Sequence, residues 1–228
     1  YFSYGQIVYR GQQVHLYGRC HIDRRNAVLW DDYELDGILE ACRVTSLPLQ
    51  VSGRTSPGTG ISSIEILTAL REGILVPWQK QQAEMIKPAS ELFLADQGGL
   101  VYQPKVGVHN DVAEIDFVSL YPAIMVYFNI SPETILNDPQ APNLVPTLGM
   151  GIDNSKVGLI PKALKPLLVK RVSLKKRVGK MQPWDPLRTV YSRRASALKW
   201  LLVTCFGYLG YKNARFGRIE AHQAVTAY

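Results

Sequence analysis

Two runs of helical spacing, separated by a stretch that no helix crosses, set the architecture of this chain. The apolar spacing predicts helices over residues 162–178 and 187–206, and residues 179–186 between them carry Gly179, Pro183 and Pro186. Proline lacks the backbone donor and its ring clashes with the preceding turn, so one continuous helix is excluded. Long helices joined by a short turn pack antiparallel, and the pattern predicts a helical hairpin. On the first arm Leu167 and Leu168 point inward, while Arg171 and Lys175 stand four apart on one face. On the second arm Lys199 and Val203 have the same spacing, with Gly207 one turn on. Facing arms bring these side chains together as a cationic surface. Such a surface suits a triphosphate: a guanidinium chelates two oxygens and an ammonium supplies a point charge. Taken alone, each pair also fits an ordinary solvated helix face.

The charge distribution points the same way. The 228 residues hold 26 Lys and Arg against 19 Asp and Glu, a net charge of +7. Residues 156–218 contain 16 of the cations and one acid, Asp185, leaving 10 basic and 18 acidic residues elsewhere. A solubilising surface mixes both signs. So one-sided an excess predicts a polyphosphate or nucleic-acid partner. No uninterrupted apolar run of about 18 residues occurs, and no membrane span is expected. Cys20, Cys42 and Cys205 are odd in number and widely spaced, which fits neither a disulfide framework nor a zinc site. They read as buried thiols in a reducing cytosol. His15, His21, His109 and His222 are scattered and read as structural or surface residues. Trp184 is expected to pack the hairpin tip and Trp200 the core, rather than to stack on bases.

Along the rest of the chain, residues 6–23 alternate polar and apolar side chains and predict short antiparallel strands. Residues 32–45 have helical spacing, closed by Pro48. Residues 53–60 read as a loop and 61–72 as a helix, and a domain boundary is placed near residue 78. Strands are predicted at 100–102 and 112–115, a helix from Pro122, and a proline-rich loop over 131–146. Asp116 then stands at a strand end, followed by a turn through Ser119, Leu120 and Tyr121 into an apolar helix. A carboxylate there, with backbone N–H groups beyond it, is a site for a divalent cation and the phosphates it carries. The first residue, Tyr1, is not methionine, and residues 224–228 break off inside a helical pattern. A piece of a longer protein is expected.

The run Asp116-Phe117-Val118-Ser119-Leu120-Tyr121-Pro122 resembles motif A of the family B DNA polymerases, D-x-x-S-L-Y-P. That family follows motif A with a fingers hairpin and then motif B, K-x-x-x-N-S-x-Y-G. Here Lys199 and Gly207 keep its register. Thr204 stands for Ser, Phe206 for Tyr, and Val203 replaces the Asn with a side chain that donates no hydrogen bond. Leu167-Leu168-Val169-Lys170-Arg171, followed by Lys175, is similar to the first fingers helix. Gly98-Gly99-Leu100-Val101 resembles the element that touches template backbone, and residues 216–222 resemble the return to the palm. Asn129-Ile130-Ser131-Pro132-Glu133-Thr134 and Lys212-Asn213-Ala214-Arg215-Phe216-Gly217 look like a divergent archaeal and bacterial branch. Gly18-Arg19-Cys20-His21-Ile22-Asp23 resembles a strand of the 3′–5′ exonuclease domain. The carboxylates such a nuclease needs are not where expected. Tyr33, Asp36 and Glu40 suit either a degenerate site or plain solvent contacts, so a remnant kept as scaffold is expected.

The resemblance implies an α+β fold: an antiparallel-sheet palm portion, a two-helix fingers hairpin and a partial exonuclease-like α/β segment. Its divisions are residues 1–77 (exonuclease-like remnant), 78–155 (first part of the palm), 156–212 (fingers with motif B) and 213–228 (return to the palm). It implies a DNA-directed DNA polymerase that transfers dNTP to a primer 3′ end with two Mg²⁺ ions. Asp116 would be the catalytic carboxylate and a metal ligand, with the Phe117 carbonyl as backbone ligand. Amides at Ser119, Leu120 and Tyr121 would hold phosphate, and the Tyr121 ring would exclude a 2′-hydroxyl. Arg171, Lys175 and Lys199 would neutralise the triphosphate. Val203, Thr204, Phe206 and Gly207 would form motif B, and Gly98 and Gly99 would contact DNA. The implied partners are primer–template DNA and dNTP, in a cytoplasmic, nucleoid-associated setting without a membrane. The family's D-T-D motif C does not occur here, and the chain stops before its expected place. The fragment is therefore expected to be inactive alone, with the remaining carboxylates coming from the rest of the polymerase or a partner subunit. The alternative is a catalytically silent DNA-binding or replisome-scaffolding protein.

Overall fold

The structure is a computed structural model that describes residues 2–3, 6–7, 16–78, 86–95 and 102–228. In chain order its elements are β1 (Phe2–Ser3), β2 (Gln6–Ile7), α1 (Trp30–Thr45), α2 (Leu49–Ser52), α3 (Pro57–Arg71) and α4 (Ala89–Ala95). Then follow α5 (Leu120–Tyr127), β3 (Ile135–Leu136), β4 (Gly151–Ile152), α6 (Leu159–Lys180), α7 (Pro186–Gly210) and α8 (Ile219–Ala227). The chain forms two compact units, Tyr1–Ile64 with Val169–Leu201, and Glu65–Leu168 with Leu202–Tyr228.

In the first unit β1 and β2 pair antiparallel, Phe2 opposite Ile7 and Ser3 opposite Gln6. The core gathers Tyr33, Ile38 and Ala41 of α1 with Ala197 of α7, flanked by Ile22, Leu29, Leu49 and Trp200. Helix α1 comes so near α7 that a Cβ on Gly37 would lie 2.9 Å from the Arg193 carbonyl oxygen. Asp31 and Asp32 sit in its first turn, where the helix dipole favours them. At the tip joining α6 to α7, Asp185 accepts a hydrogen bond from the Leu187 amide at 2.8 Å. Pro186 takes the first helical position, where no N–H is required.

In the second unit β3 and β4 pair antiparallel, Ile135 opposite Ile152. Helix α8 packs on α4 and α5. Met125, Ile130, Ile152, Leu164 and Leu202 are each 2% exposed or less. Gly73, in the left-handed region at φ 67, stops α3, with the Ile74 amide donating to the Ala69 carbonyl at 2.8 Å.

Several expectations are corrected. The described residues are mostly helical, and their strands form two short antiparallel pairs. Residues 112–115 are irregular and exposed instead of a strand. An apolar run becomes a strand only when a neighbouring backbone takes up its N–H and C=O groups, and no described residue pairs with it. Residues 18–23 form turns and irregular chain rather than an exonuclease-like strand. Helix α3 begins at Pro57, inside the expected loop, because proline is a good first helical residue. Trp184 is 79% exposed and does not pack the tip. Cys20 is exposed, whereas Cys205 is buried. Gly98 and Gly99, with most of the 100–102 strand, lie outside the described residues.

Candidate nucleotide-binding groups and their supports

The cationic residues of both arms line one cavity. Within the first unit, Arg171, Lys175, Val178 and Gly179 of α6 and Ser192, Ala195, Ser196 and Lys199 of α7 surround a volume of ≈ 300 Å³. The α-helical repeat explains the alignment: Arg171 and Lys175 are one turn apart, and Ser192, Ser196 and Lys199 follow at four and then three residues. A guanidinium, two ammonium groups and two hydroxyls form a donor set for an anion with several oxygens. The two serines escaped the sequence reading, although their i, i+4, i+7 spacing with Lys199 was legible.

Other cations of the basic stretch have structural partners. Lys170 pairs with Glu40 of α1, which is 2% exposed and also lies 3.5 Å from Arg43. Arg193 pairs with Glu34 and lies 3.8 Å from Asp36. The acids of α1, one reading of which was solvent contacts, thus hold basic residues of both arms. Burial of Tyr33 also pushes its phenol pKa up, so its hydroxyl stays protonated. In the second unit Arg218 donates to the carbonyls of Pro132 and Ile135, at 2.8 and 3.0 Å, and to Glu220. Lys162 pairs with Glu72.

Asp116 and Phe117, in the second unit, are exposed on irregular backbone. Immediately after them Ser119 adopts a left-handed conformation, φ 55, as the N-cap of α5. The amides of Leu120 and Tyr121 fall in the first turn, where a helix offers no acceptor of its own. Pro122 lacks a donor at the next position and costs nothing there. The Tyr121 ring lies 4.3 Å from the Phe206 ring, which stacks at 4.1 Å on His222 of α8. Gly210 makes room for this stack, since a Cβ there would meet the His222 ring at 2.8 Å. His222, read as structural or surface, is structural: it is the third ring of the Tyr121–Phe206–His222 stack. Val203 is 55% exposed, Thr204 half-buried and Gly207 exposed.

The run Asn129-Ile130-Ser131-Pro132-Glu133-Thr134 caps α6 from a distance. Glu133 accepts from the Leu159 amide, Ser131 from the Ile160 amide and Asn129 from the Gly158 amide. These satisfy donors that the helix start cannot. As a metal site the residues are incomplete. Asp116 is a hard oxygen donor of the kind Mg²⁺ takes. Among the described residues, however, no three His, Cys, Asp or Glu side chains gather to hold an ion.

Residues 59–228 match DNA polymerase family B. DNA polymerase 2 of Saccharolobus solfataricus is 32% identical over 83% of this chain and 28% of its own length. DNA polymerase 2 of Aeropyrum pernix is 30% identical over 83% of this chain and 23% of its own. The structure of the family B DNA polymerase from the hyperthermophilic archaeon Pyrobaculum calidifontis superposes with a TM-score of 0.63 at 30% identity, over 85% of this chain and 25% of that one. The chain thus spans about a quarter of the relatives it matches. With the match running from α3 to the last residue, the chain belongs to the family B DNA polymerases.

Proposed function

We propose that this chain is the nucleotide-binding part of a DNA-directed DNA polymerase, with residues 156–212 as fingers and 78–155 and 213–228 as palm. Residues 1–77 serve as an exonuclease-derived scaffold. The observation that carries the reading is the ≈ 300 Å³ cavity where Arg171, Lys175 and Lys199 meet, in a chain of this family. Those cations bind the triphosphate and stabilise charge on the departing pyrophosphate. Tyr121, backed by Phe206 and His222, presents a fixed ring edge that excludes a 2′-hydroxyl. Asp116 and the Phe117 carbonyl contribute oxygen ligands for a divalent ion, taken as Mg²⁺, which when bound supplies Lewis acidity toward phosphoryl oxygens. The 228 residues contain no D-T-D sequence. They therefore do not turn over alone, and carboxylates from the rest of the polymerase or a partner subunit complete the centre.

Primer extension by the complete polymerase tests this. Asp116→Ala is expected to lower the rate by about 10³-fold or more, the scale of a lost ligand to a catalytic ion. Equal extension by both proteins removes Asp116 from the mechanism. Val203, 55% exposed where the family pattern carries Asn, supports a second reading as a silent DNA-binding scaffold. That reading predicts DNA binding with no extension by the complete wild-type protein.

A further inference from the structure

The tip between α6 and α7 holds an aromatic side chain that the nucleotide-binding reading leaves without a role. The Asp185 amide donates to the Gln182 carbonyl at 3.1 Å, closing a turn over residues 182–185. Pro183 takes the second position of that turn, which suits its fixed φ, and Trp184 the third, at the apex. Pro186 follows directly, and Asp185 is tied to the Leu187 amide. The indole is therefore mounted on a short constrained turn, and it is 79% exposed. Exposing so large an apolar ring in water has no folding benefit; its burial against a partner is worth more than its area alone when the partner is a flat π-system.

The surroundings select that partner. Lys180 ends α6, Arg188 lies in the first turn of α7, and both are exposed. The tip's single acid, Asp185, caps α7, and among the described residues no salt bridge joins it to Lys180 or Arg188. The other aromatic ring of this end, Tyr191, has the Arg177 guanidinium over it at 4.2 Å. One open ring between cations matches a polyanion that carries flat rings. In a duplex the base faces are covered by their neighbours, whereas an unpaired strand offers them for stacking.

We propose that the tip is a binding site for single-stranded DNA, in which Trp184 stacks on an unpaired base while Lys180 and Arg188 hold the flanking phosphates. The site shares no residue with the triphosphate cavity, and its occupation requires neither nucleotide nor turnover.

The test is binding of the 228-residue chain to a fluorescein-labelled oligothymidylate and to a duplex of the same length, followed by anisotropy. Trp184→Ala is expected to weaken the single-strand complex about tenfold or more, the worth of one aromatic stacking contact, and to leave the duplex complex unchanged. Trp184→Phe keeps a π-face and retains most of the affinity. Lys180→Ala with Arg188→Ala lowers the affinity and flattens its salt dependence. Because Trp184 is exposed, both variants fold, which their thermal melting confirms. Four results each overturn the proposal: no oligonucleotide binding by the wild-type chain, equal binding by Trp184→Ala, equal losses on single strand and duplex, or a Phe variant as weak as the Ala variant. Since the readout is binding alone, a failure here is distinguishable from a failure of primer extension.

Discussion

The cation cavity of the first unit and the Asp116 segment of the second carry the two halves of the proposed chemistry, yet they are held in opposite ways. Arg171, Lys175, Ser196 and Lys199 stand on α6 and α7, whose backbone geometry is set by i to i−4 hydrogen bonds between near neighbours in the chain. Their spacing is fixed by the helical repeat before any ligand arrives, and Glu40 and Glu34 brace their neighbours Lys170 and Arg193. Asp116 stands on exposed, irregular chain that makes no ladder with any described residue. A helix can preorganise a site with its own residues; a carboxylate on irregular chain is positioned only by what packs or pairs with that chain.

Amide hydrogen exchange is the sharpest way to break this contrast. Amides of residues 190–205 are expected to be protected at least about 10³-fold more than those of residues 103–118, since exchange follows local opening. Comparable protection in both segments removes the distinction. Next in size, Lys199→Ala in the complete polymerase is expected to weaken dNTP use by about a hundredfold, as a lost charge-assisted contact to phosphate, with the far-ultraviolet spectrum unchanged. A change in helical content instead would show that Lys199 acts through the fold.

A third prediction concerns the core of the second unit. Glu65, 4% exposed, has its carboxyl pKa pushed from an ordinary 4.5 up to about 8 by burial. The folded state thus holds a proton that the unfolded chain releases. Stability from this group is full below about pH 4.5 and falls as pH rises to about 8, by up to about 1.4 kcal/mol per pH unit. Burial, and next the nearby Glu65 carboxyl, push the Cys205 thiol up as well. Denaturant titrations of Glu65→Gln across that range are expected to lack the slope; a slope equal to wild type places the titrating group elsewhere. The smallest effect belongs to the brace of the first unit. Lys170→Ala leaves Glu40 buried with Arg43 at 3.5 Å. Because Lys170 is partly solvated, the loss is expected near 1–2 kcal/mol by chemical denaturation, below the range for fully buried pairs. No loss would mean that water replaces the ammonium.

The hairpin was legible because its signals are local: apolar spacing at 3.6 residues and the two prolines at the tip. The cavity was legible in its three cations and missed in its two serines. The strand at 112–115 was misread because β pairing is not written in the strand itself. Glu40 was misread because Lys170, its partner, is remote in sequence and the burial of an acid depends on that partner. Trp184 was expected to pack the hairpin tip, whereas on the Gln182–Asp185 turn it is exposed.

The order of residues alone determined the helical arms, the concentration of positive charge on them and the motifs that mark the family, since each follows from neighbours within a few positions. Tertiary structure decided that residues of two arms share one cavity, that His222 backs the Tyr121–Phe206 pair, that Glu40 is paired and that burial raises the pKa of Glu65. The physical reason is range. Helical hydrogen bonds and proline sterics act over four residues, whereas desolvation and ring stacking depend on groups that only the folded chain brings together.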